Sequence, residues 1–90
     1  MMRLYARALK GRLAIAETEI CNNELERGFQ DRLEKCLVGV CSELNISVPM
    51  WIDRNTSEFG CFKRTFFTAE QFIDEIKFDR LMIEMYLDEE

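Results

Sequence analysis

Residues 22–46 read NNELERGFQDRLEKCLVGVCSELNI and form the longest segment of the chain with a helical period. Apolar side chains recur there at steps of three and four, which stacks them along one side of an α-helix. Charged and amide side chains occupy the opposite side. Because one face is apolar, this helix must pack against another layer of structure. The apolar face consists of Leu25, Phe29, Leu33, Cys36, Leu37, Val40, Cys41 and Leu44.

Both ends of this predicted helix carry capping signals. Asn22 or Asn23 can accept a hydrogen bond from a free N–H group of the first turn. Asn45 suits a left-handed position after the last turn, with Ile46 folding back on the helix. Gly39 lies beside the apolar face, where its bare Cα permits the close approach of a neighbour.

Residues 2–20 are compatible with two structures. Interpreted as strands, residues 2–9 and 12–20 alternate in polarity on either side of Gly11, whose permissive backbone suits a tight turn. Interpreted as a helix, the segment is rich in good helix formers, and some of its apolar residues recur at helical spacing. We favour the hairpin, because Gly11 would weaken a helix interior and because the long helix needs a sheet to cover.

The second half of the chain predicts several short elements. An extended stretch around Pro49 precedes a short helix that ends near Phe62. After a short extended piece at 63–67, residues 68–71 match a capping box that begins one or two helical turns. Residues 80–87 alternate apolar with polar side chains, which is typical of a strand.

These elements predict a single two-layer α+β domain that spans residues 1–90. The N-terminal hairpin and the C-terminal strand form a small antiparallel sheet of three strands. One long amphipathic helix covers a face of this sheet, and one or two short helices complete the domain. A composition of 48% apolar and 32% charged residues is ordinary for a globular chain of this length.

Charge and hydropathy argue against several classes of protein. The formal net charge of −5 disfavours general nucleic-acid binding, although it is compatible with a local basic patch. No apolar run approaches the ~20 residues that span a bilayer, so no membrane partner is expected. No signal-peptide pattern is present. Four cysteines without a secretion signal predict free thiols in a reducing, cytoplasmic compartment.

The residue types that most catalysis needs are missing or unfavourably spaced. The chain has no histidine, which excludes Ser-His-Asp and Cys-His catalysis and removes the usual base near neutral pH. Its cysteines form no CxxC pair, and its glycines match no phosphate-binding loop. We therefore predict a non-enzymatic protein with no catalytic residue, cofactor or metal. An activity or a metal site based on Cys21 or Cys61 is a further hypothesis.

Large apolar residues in the middle of the chain indicate a surface for a protein partner. Trp51, together with Met50 and Phe59, is a candidate anchor, because tryptophan is favoured at interface hot spots. The alternative is that Trp51 closes the open end of the domain. The leading prediction is a protein-interaction module, and a homodimer is one form of it, since a three-stranded sheet has open edges.

A second interpretation concerns the segment FKRTFF at 62–67. Lys63 and Arg64 lie there among aromatic residues, an arrangement that can stack on bases while its cations hold phosphate. Single-stranded nucleic-acid binding through these two residues is therefore the alternative function. Against it, Phe66 and Phe67 are also the kind of residues that form a core.

Two motifs in the second half of the chain have a fixed order of aromatic and polar residues. PMWIDRNTSEF at 49–59 matches the pattern P-x-W-[IL]-D-x-N-x-x-E-F, and KRTFFTAEQFIDEIKFD at 63–79 contains F-I-x-x-I-x-F-D. Together they resemble a group of short uncharacterised proteins from anaerobic Gram-positive bacteria. The resemblance implies a two-layer α+β fold and a bacterial cytoplasmic setting. It implies no activity, because none is assigned to the group, and it transfers no functional residue.

Overall fold

The computed structural model describes residues 1–24 and 26–87 as a four-stranded antiparallel sheet with two α-helices. The strand order is β2-β1-β4-β3, so that β1 and β4 are the two central strands. This arrangement confirms the α+β class and the antiparallel sheet. In chain order the elements are β1 (Met2–Lys10), β2 (Leu13–Asn22), α1 (Phe29–Glu43), α2 (Asp53–Phe62), β3 (Arg64–Thr68), a 3₁₀ turn (Ala69–Gln71) and β4 (Arg80–Leu87).

The N-terminal hairpin is confirmed in preference to the helix. β1 alternates buried with half-buried side chains, so one of its faces belongs to the core. Gly11 turns the chain with a φ of 60°, a left-handed conformation that glycine adopts without steric cost. Asp79 fixes this turn from the side. Its Oδ2 accepts a hydrogen bond from the Gly11 N–H at 2.6 Å, and its own N–H donates to Leu9 O at 2.8 Å.

The sheet contains a fourth strand, so the prediction of three strands was wrong. β3 pairs with β4 along its whole length, and the extended piece predicted at 63–67 is therefore an edge of the sheet. Thr65 and Phe67 are fully buried in the core, whereas Phe66 lies on the other face. An alternation over only five residues is a weak periodic signal, and it does not show which strand will accept the hydrogen bonds.

α1 is shorter than the helix predicted for residues 22–46. β2 continues further than expected, to Asn22, and α1 begins only at Phe29. The predicted asparagine cap was wrong, because Gly28 precedes the first turn and provides no side-chain cap. The prediction for the other end is confirmed: Asn45 has a φ of 57°, and the Ile46 N–H bonds back to the last turn of α1 at 2.9 Å.

Ion pairs fix the loop that leads into α1. Glu24 accepts hydrogen bonds from Lys35 Nζ at 3.0 Å and from Arg27 Nε at 2.6 Å, and these two cations lower the pKa of Glu24 to about 2. Arg32 donates to the main-chain and side-chain oxygens of Asn22 at 3.0 and 3.2 Å. These contacts join the first turns of α1 to the end of β2.

Both helices lie on the same face of the sheet and enclose one core. α1 packs on β1 and β2, and α2 packs on β3, so one helix does not cover the whole sheet as predicted. The physical reason is the fourth strand, which widens the sheet beyond the reach of α1. Of the predicted apolar face of α1, Phe29 is 46% exposed, and Leu25 lies outside the described residues. The least exposed apolar side chains are Met2, Leu4, Ala6, Cys36, Val40, Phe67, Leu81 and Ile83.

The two predicted short helices are present. At the start of α2 the Ile52 N–H donates to Asn55 Oδ1 at 3.0 Å, which closes the first turn. In the 3₁₀ turn, Gln71 Oε1 accepts a hydrogen bond from the Thr68 N–H at 3.0 Å, as the capping box predicts. That helix is a single turn, because Phe72 already has an extended backbone.

Gly39 marks the point where α1 comes closest to β2. A Cβ atom at this position would lie 3.2 Å from Cγ1 and 3.3 Å from Cγ2 of Ile20, which is closer than an ordinary contact. The predicted close approach is therefore confirmed, and Ile20 is the neighbour that requires it.

We expect Gly39→Ala to lower the free energy of unfolding by up to about 2 kcal/mol, because overpacking against Ile20 outweighs the gain in helix propensity. Gly60→Ala is the matched control, since Gly60 also lies inside a helix and an added Cβ would meet nothing within 4 Å. The control should raise the free energy of unfolding by up to about 1 kcal/mol. Urea denaturation measures both, and equal stabilisation by the two substitutions would contradict the close packing.

Candidate functional site

An apolar groove separates α1 from α2 on the helical face of the domain. The two helices pack on the sheet rather than on each other, and they leave an open space of about 560 Å³ between them. Phe29, Leu33 and Leu37 recur every four residues and form the α1 wall in one line along that helix. Gln30 and Glu34 follow the same wall as its polar rim.

The remaining wall consists of α2 and of the segment that leads into it. Phe59 is buried at the base of this wall, Trp51 is half-buried, and Val48 is exposed. Lys63 adds a charge where α2 ends. The residues of this wall are Val48, Pro49, Trp51, Thr56, Phe59, Gly60 and Lys63.

Contacts within the domain hold Trp51 in a defined orientation. Its ring meets Phe59 and Phe67 edge-on, and both centroid distances are 5.7 Å. Aromatic pairs of this geometry contribute about 0.5–1.5 kcal/mol beyond the area they bury. The indole N–H donates to Thr56 Oγ1 at 2.8 Å, so the one polar atom of the ring is also satisfied. The exposed part of the ring is therefore a rigid part of the groove.

A buried polar network holds α2 against β3. Asn55 is fully buried, and its Nδ2 donates to Thr65 Oγ1 at 2.8 Å and to Phe66 O at 3.0 Å. The Thr65 hydroxyl donates in turn to Glu58 Oε1 at 2.6 Å. Gln71 Nε2 donates to Asn55 Oδ1 at 2.9 Å. Asn55 and Glu58, two of the three fixed polar residues of the first sequence motif, thus have structural roles.

The same network positions the segment before α2. Gln71 Nε2 also donates to Met50 O at 2.8 Å, and the Met50 N–H donates to Gln71 O at 2.7 Å. Arg54 Nη2 donates to Gln71 Oε1 at 2.8 Å, which satisfies the remaining side of the amide. These bonds fix the main chain immediately before Trp51, and hence the position of the indole in the groove.

The structure separates the five residues predicted to form a partner surface. Trp51, Phe59 and Lys63 all line the groove. Met50 is 66% exposed but lies outside it, and Arg64 lies on the uncovered face of the sheet. The five predicted residues therefore do not form one surface, and only three of them line the groove.

Sequence reasoning missed the α1 side of the groove. Phe29, Leu33 and Leu37 were all assigned to the core because they continue the apolar face of the helix. One signal was available: the predicted apolar face contains eight residues spread over positions 25–44. A small sheet need not cover a helix of that length from end to end. The apolar face alone does not show which turns of the helix pack on the sheet.

The basic aromatic segment at 62–67 is divided among different surfaces. Phe67 is fully buried, and Phe62 is 68% exposed. Phe66 lies on the uncovered face of the sheet, where the Arg80 guanidinium stacks over its ring at 4.8 Å. Lys63 lines the groove instead. These residues therefore do not form one continuous platform for stacked bases.

The uncovered face of the sheet has the character of a solvated surface. Arg7 pairs with Glu17 at 3.1 Å on the neighbouring strand and donates to Tyr5 Oη at 3.0 Å. Arg64 lies 4.0 Å from Glu84 across β3 and β4. Opposite charges that face each other across strands stabilise a sheet and neutralise one another, which leaves these cations less available to phosphate.

The four cysteines lie in different environments. Cys36 and Cys41 are buried, and burial raises the pKa of both thiols, that of Cys41 to about 11. Cys21 and Cys61 are exposed and free. Within residues 1–24 and 26–87, no three cysteine or carboxylate side chains come together in a way that could hold a metal ion.

Comparison with known proteins leaves the groove to be interpreted from its own residues. No protein-family model, curated protein or solved structure matches this chain. The resemblance to short bacterial proteins thus stays a prediction. In the part of the chain that the structure describes, no helix is long and apolar enough to cross a membrane.

We expect Asn55→Ala to lower the free energy of unfolding by roughly 3 kcal/mol, because several buried groups lose their partner at once. Thr65→Val is the matched comparison. It removes one hydroxyl while Asn55 keeps its bond to Phe66 O, so it should cost about 1 kcal/mol. Urea denaturation followed by Trp51 emission measures both losses. Equal losses would contradict the central position of Asn55.

We expect two thiols to react with iodoacetamide within minutes in the native protein and two to react only in denaturant. The fast pair is Cys21 and Cys61, which are exposed. The slow pair is Cys36 and Cys41, whose burial keeps the thiol protonated and shielded. Peptide mass spectrometry identifies each alkylated residue. Rapid labelling of Cys36 or Cys41 in folded protein would contradict the described core.

Proposed function

We propose that this protein is a non-enzymatic binding module that takes an apolar segment of another protein into the groove between α1 and α2. The observation that carries this proposal is an open apolar groove with a rigid wall. Phe29 and Val48 are both more than two-fifths exposed on its two sides. Contiguous exposed apolar surface of this kind is typical of interaction sites in small soluble domains.

The chemistry of the lining favours binding over catalysis. The charged side chains of the groove are Glu34 and Lys63, and they belong to opposite walls. Acid–base or nucleophilic catalysis needs a reactive group that a second group positions and activates. The other lining residues are apolar or carry a single amide or hydroxyl, and the Thr56 hydroxyl already accepts the indole N–H.

A protein segment fits the groove better than a small molecule does. Its volume falls within the ~300–1,000 Å³ range of ligand pockets, but such pockets enclose most of their ligand. This groove is open to solvent between two helices and contains few polar groups that could orient a small ligand. The two exposed free thiols are consistent with our further proposal of a reducing, cytoplasmic setting.

Single-stranded nucleic-acid binding is the alternative proposal, and we favour it less. It requires Lys63 and Arg64 to act together with the aromatic residues beside them, but Lys63 lines the groove. On the uncovered face Arg64 and Phe66 already have partners, Glu84 and Arg80. It predicts retention of labelled single-stranded RNA at ~50 mM salt that weakens steeply as salt is added.

Gly60→Leu tests the groove directly. Gly60 lines the groove, and an added Cβ would meet nothing within 4 Å, so leucine fills the space without disturbing α2. We expect peptides selected from a random library on the wild-type protein to bind this variant about tenfold more weakly, or worse, because the side chain occupies their site. Trp51, the only tryptophan of the chain, reports occupancy through its emission.

Ser57→Leu is the control for this experiment. It places the same side chain at an exposed position of α2 outside the groove, and it should leave peptide affinity unchanged. Both variants should keep the circular dichroism of the wild type, and neither should lower the unfolding midpoint, since leucine is a better helix former than glycine or serine. A library that yields no binder, or binders that ignore Gly60→Leu, would overturn the proposal.

A further inference from the structure

We infer that the occupant of the groove is an amphipathic α-helix whose apolar stripe has a basic side chain on one flank and an acidic side chain on the other. This inference rests on the proposed function. It adds the conformation of the partner segment and the charges that orient it.

The groove offers side chains but hardly any free main-chain groups. One wall is α1, and most of the other wall is α2. The N–H and C=O groups inside each helix bond to one another. Between them, Pro49 has no N–H, and the Met50 N–H is already bonded to Gln71 O at 2.7 Å. An extended segment lying here would bury unpaired main-chain groups, which is costly. A helix satisfies its own main chain and therefore fits.

The dimensions of the groove agree with a short helical contact. Leu37 lies eight residues after Phe29, so the line between them is about 12 Å long, a little over two helical turns. A helix laid beside this line presents apolar side chains at positions i, i+3 or i+4, and i+7. The exposed ring edge of Trp51 and the open space over Gly60 lie on the opposite side to receive them.

Glu34 and Lys63 provide the charge complementarity. They belong to opposite walls, and neither forms an ion pair with another residue in the described part of the chain. A basic side chain towards α1 and an acidic one towards the end of α2 would satisfy both. Because reversing the helix exchanges its flanks, these charges also determine the direction in which it lies.

A second copy of the chain is a poorer occupant. A symmetric dimer through this surface would place one concave groove over another and enclose a void, which loses packing. Phe62 of a second copy is 68% exposed and could enter the groove. A closed dimer of this kind would require Phe62 of each copy to enter the groove of the other at the same time, and a single insertion would leave an open head-to-tail contact.

Three synthetic peptides of about sixteen residues test the inference, a length at which an isolated helix begins to be stable. All three carry the same leucine stripe, and their flanks are Lys/Glu, Glu/Glu or Lys/Lys. Titration at ~50 mM salt, followed by Trp51 emission, should show the Lys/Glu peptide binding about three- to tenfold more tightly than the others.

Charge reversal in the protein should exchange these preferences. Glu34→Lys makes both walls basic, so the Glu/Glu peptide should become the tightest ligand. Lys63→Glu makes both walls acidic and should select the Lys/Lys peptide. Glu43→Lys is the control, because it makes the same charge change on α1 outside the groove and should alter no ranking.

Four results would overturn the inference. Equal affinity for the three peptides removes the role of the charges. Equal binding of a Lys/Glu peptide with a central proline removes the helix. If none of the three peptides binds while peptides from the random library do, neither the helical conformation nor the charge pattern of the partner is supported. The groove would then still stand as a binding site. A dimer in native mass spectrometry that Gly60→Leu dissociates would identify a second copy as the occupant.

Discussion

The hydrogen bonds of the Asn55 side chain connect three segments that are distant in sequence. One amide group binds α2 to β3 and to the 3₁₀ turn, and through Gln71 it reaches the chain before Trp51. A buried amide is costly unless both its oxygen and its nitrogen find partners, so this group admits few alternative arrangements. These hydrogen bonds consequently fix the position of the α2 wall of the groove relative to the sheet.

The groove follows from the width of the sheet. β3 adds a fourth strand next to β4, and α1 covers only β1 and β2. A second helix is needed to shield Phe67 at the far edge, and the Asn55 network attaches α2 there. Because each helix is positioned by its own strands, the two do not close on each other. The apolar face of α1 is left partly open at Phe29, and this gap is the groove that we propose as a binding site.

Local signals in the sequence were interpreted correctly where neighbours along the chain determine the structure. Gly11, Asn45 and the pair Thr68 and Gln71 each occupy the backbone position that their chemistry predicts. The prediction for the start of α1 was wrong. Asn22 ends β2, and the length of that strand depends on its pairing with β1. Of the five residues predicted to form a partner surface, Trp51, Phe59 and Lys63 line the groove. Arg64 follows Lys63 in sequence but belongs to β3, so it lies on the other face of the sheet.

The sequence by itself determined which residues share a face, since the periods of helix and strand are local properties. It thereby specified the amphipathic helix, and it favoured the N-terminal hairpin and with it the α+β class. Only the tertiary structure decided what covers each face. The pairing of β3 with β4, the burial of Phe67 and the exposure of Phe29 depend on contacts between residues far apart in the chain, and no local period encodes those. The groove is such a property, because it is the space that two separately anchored helices leave between them.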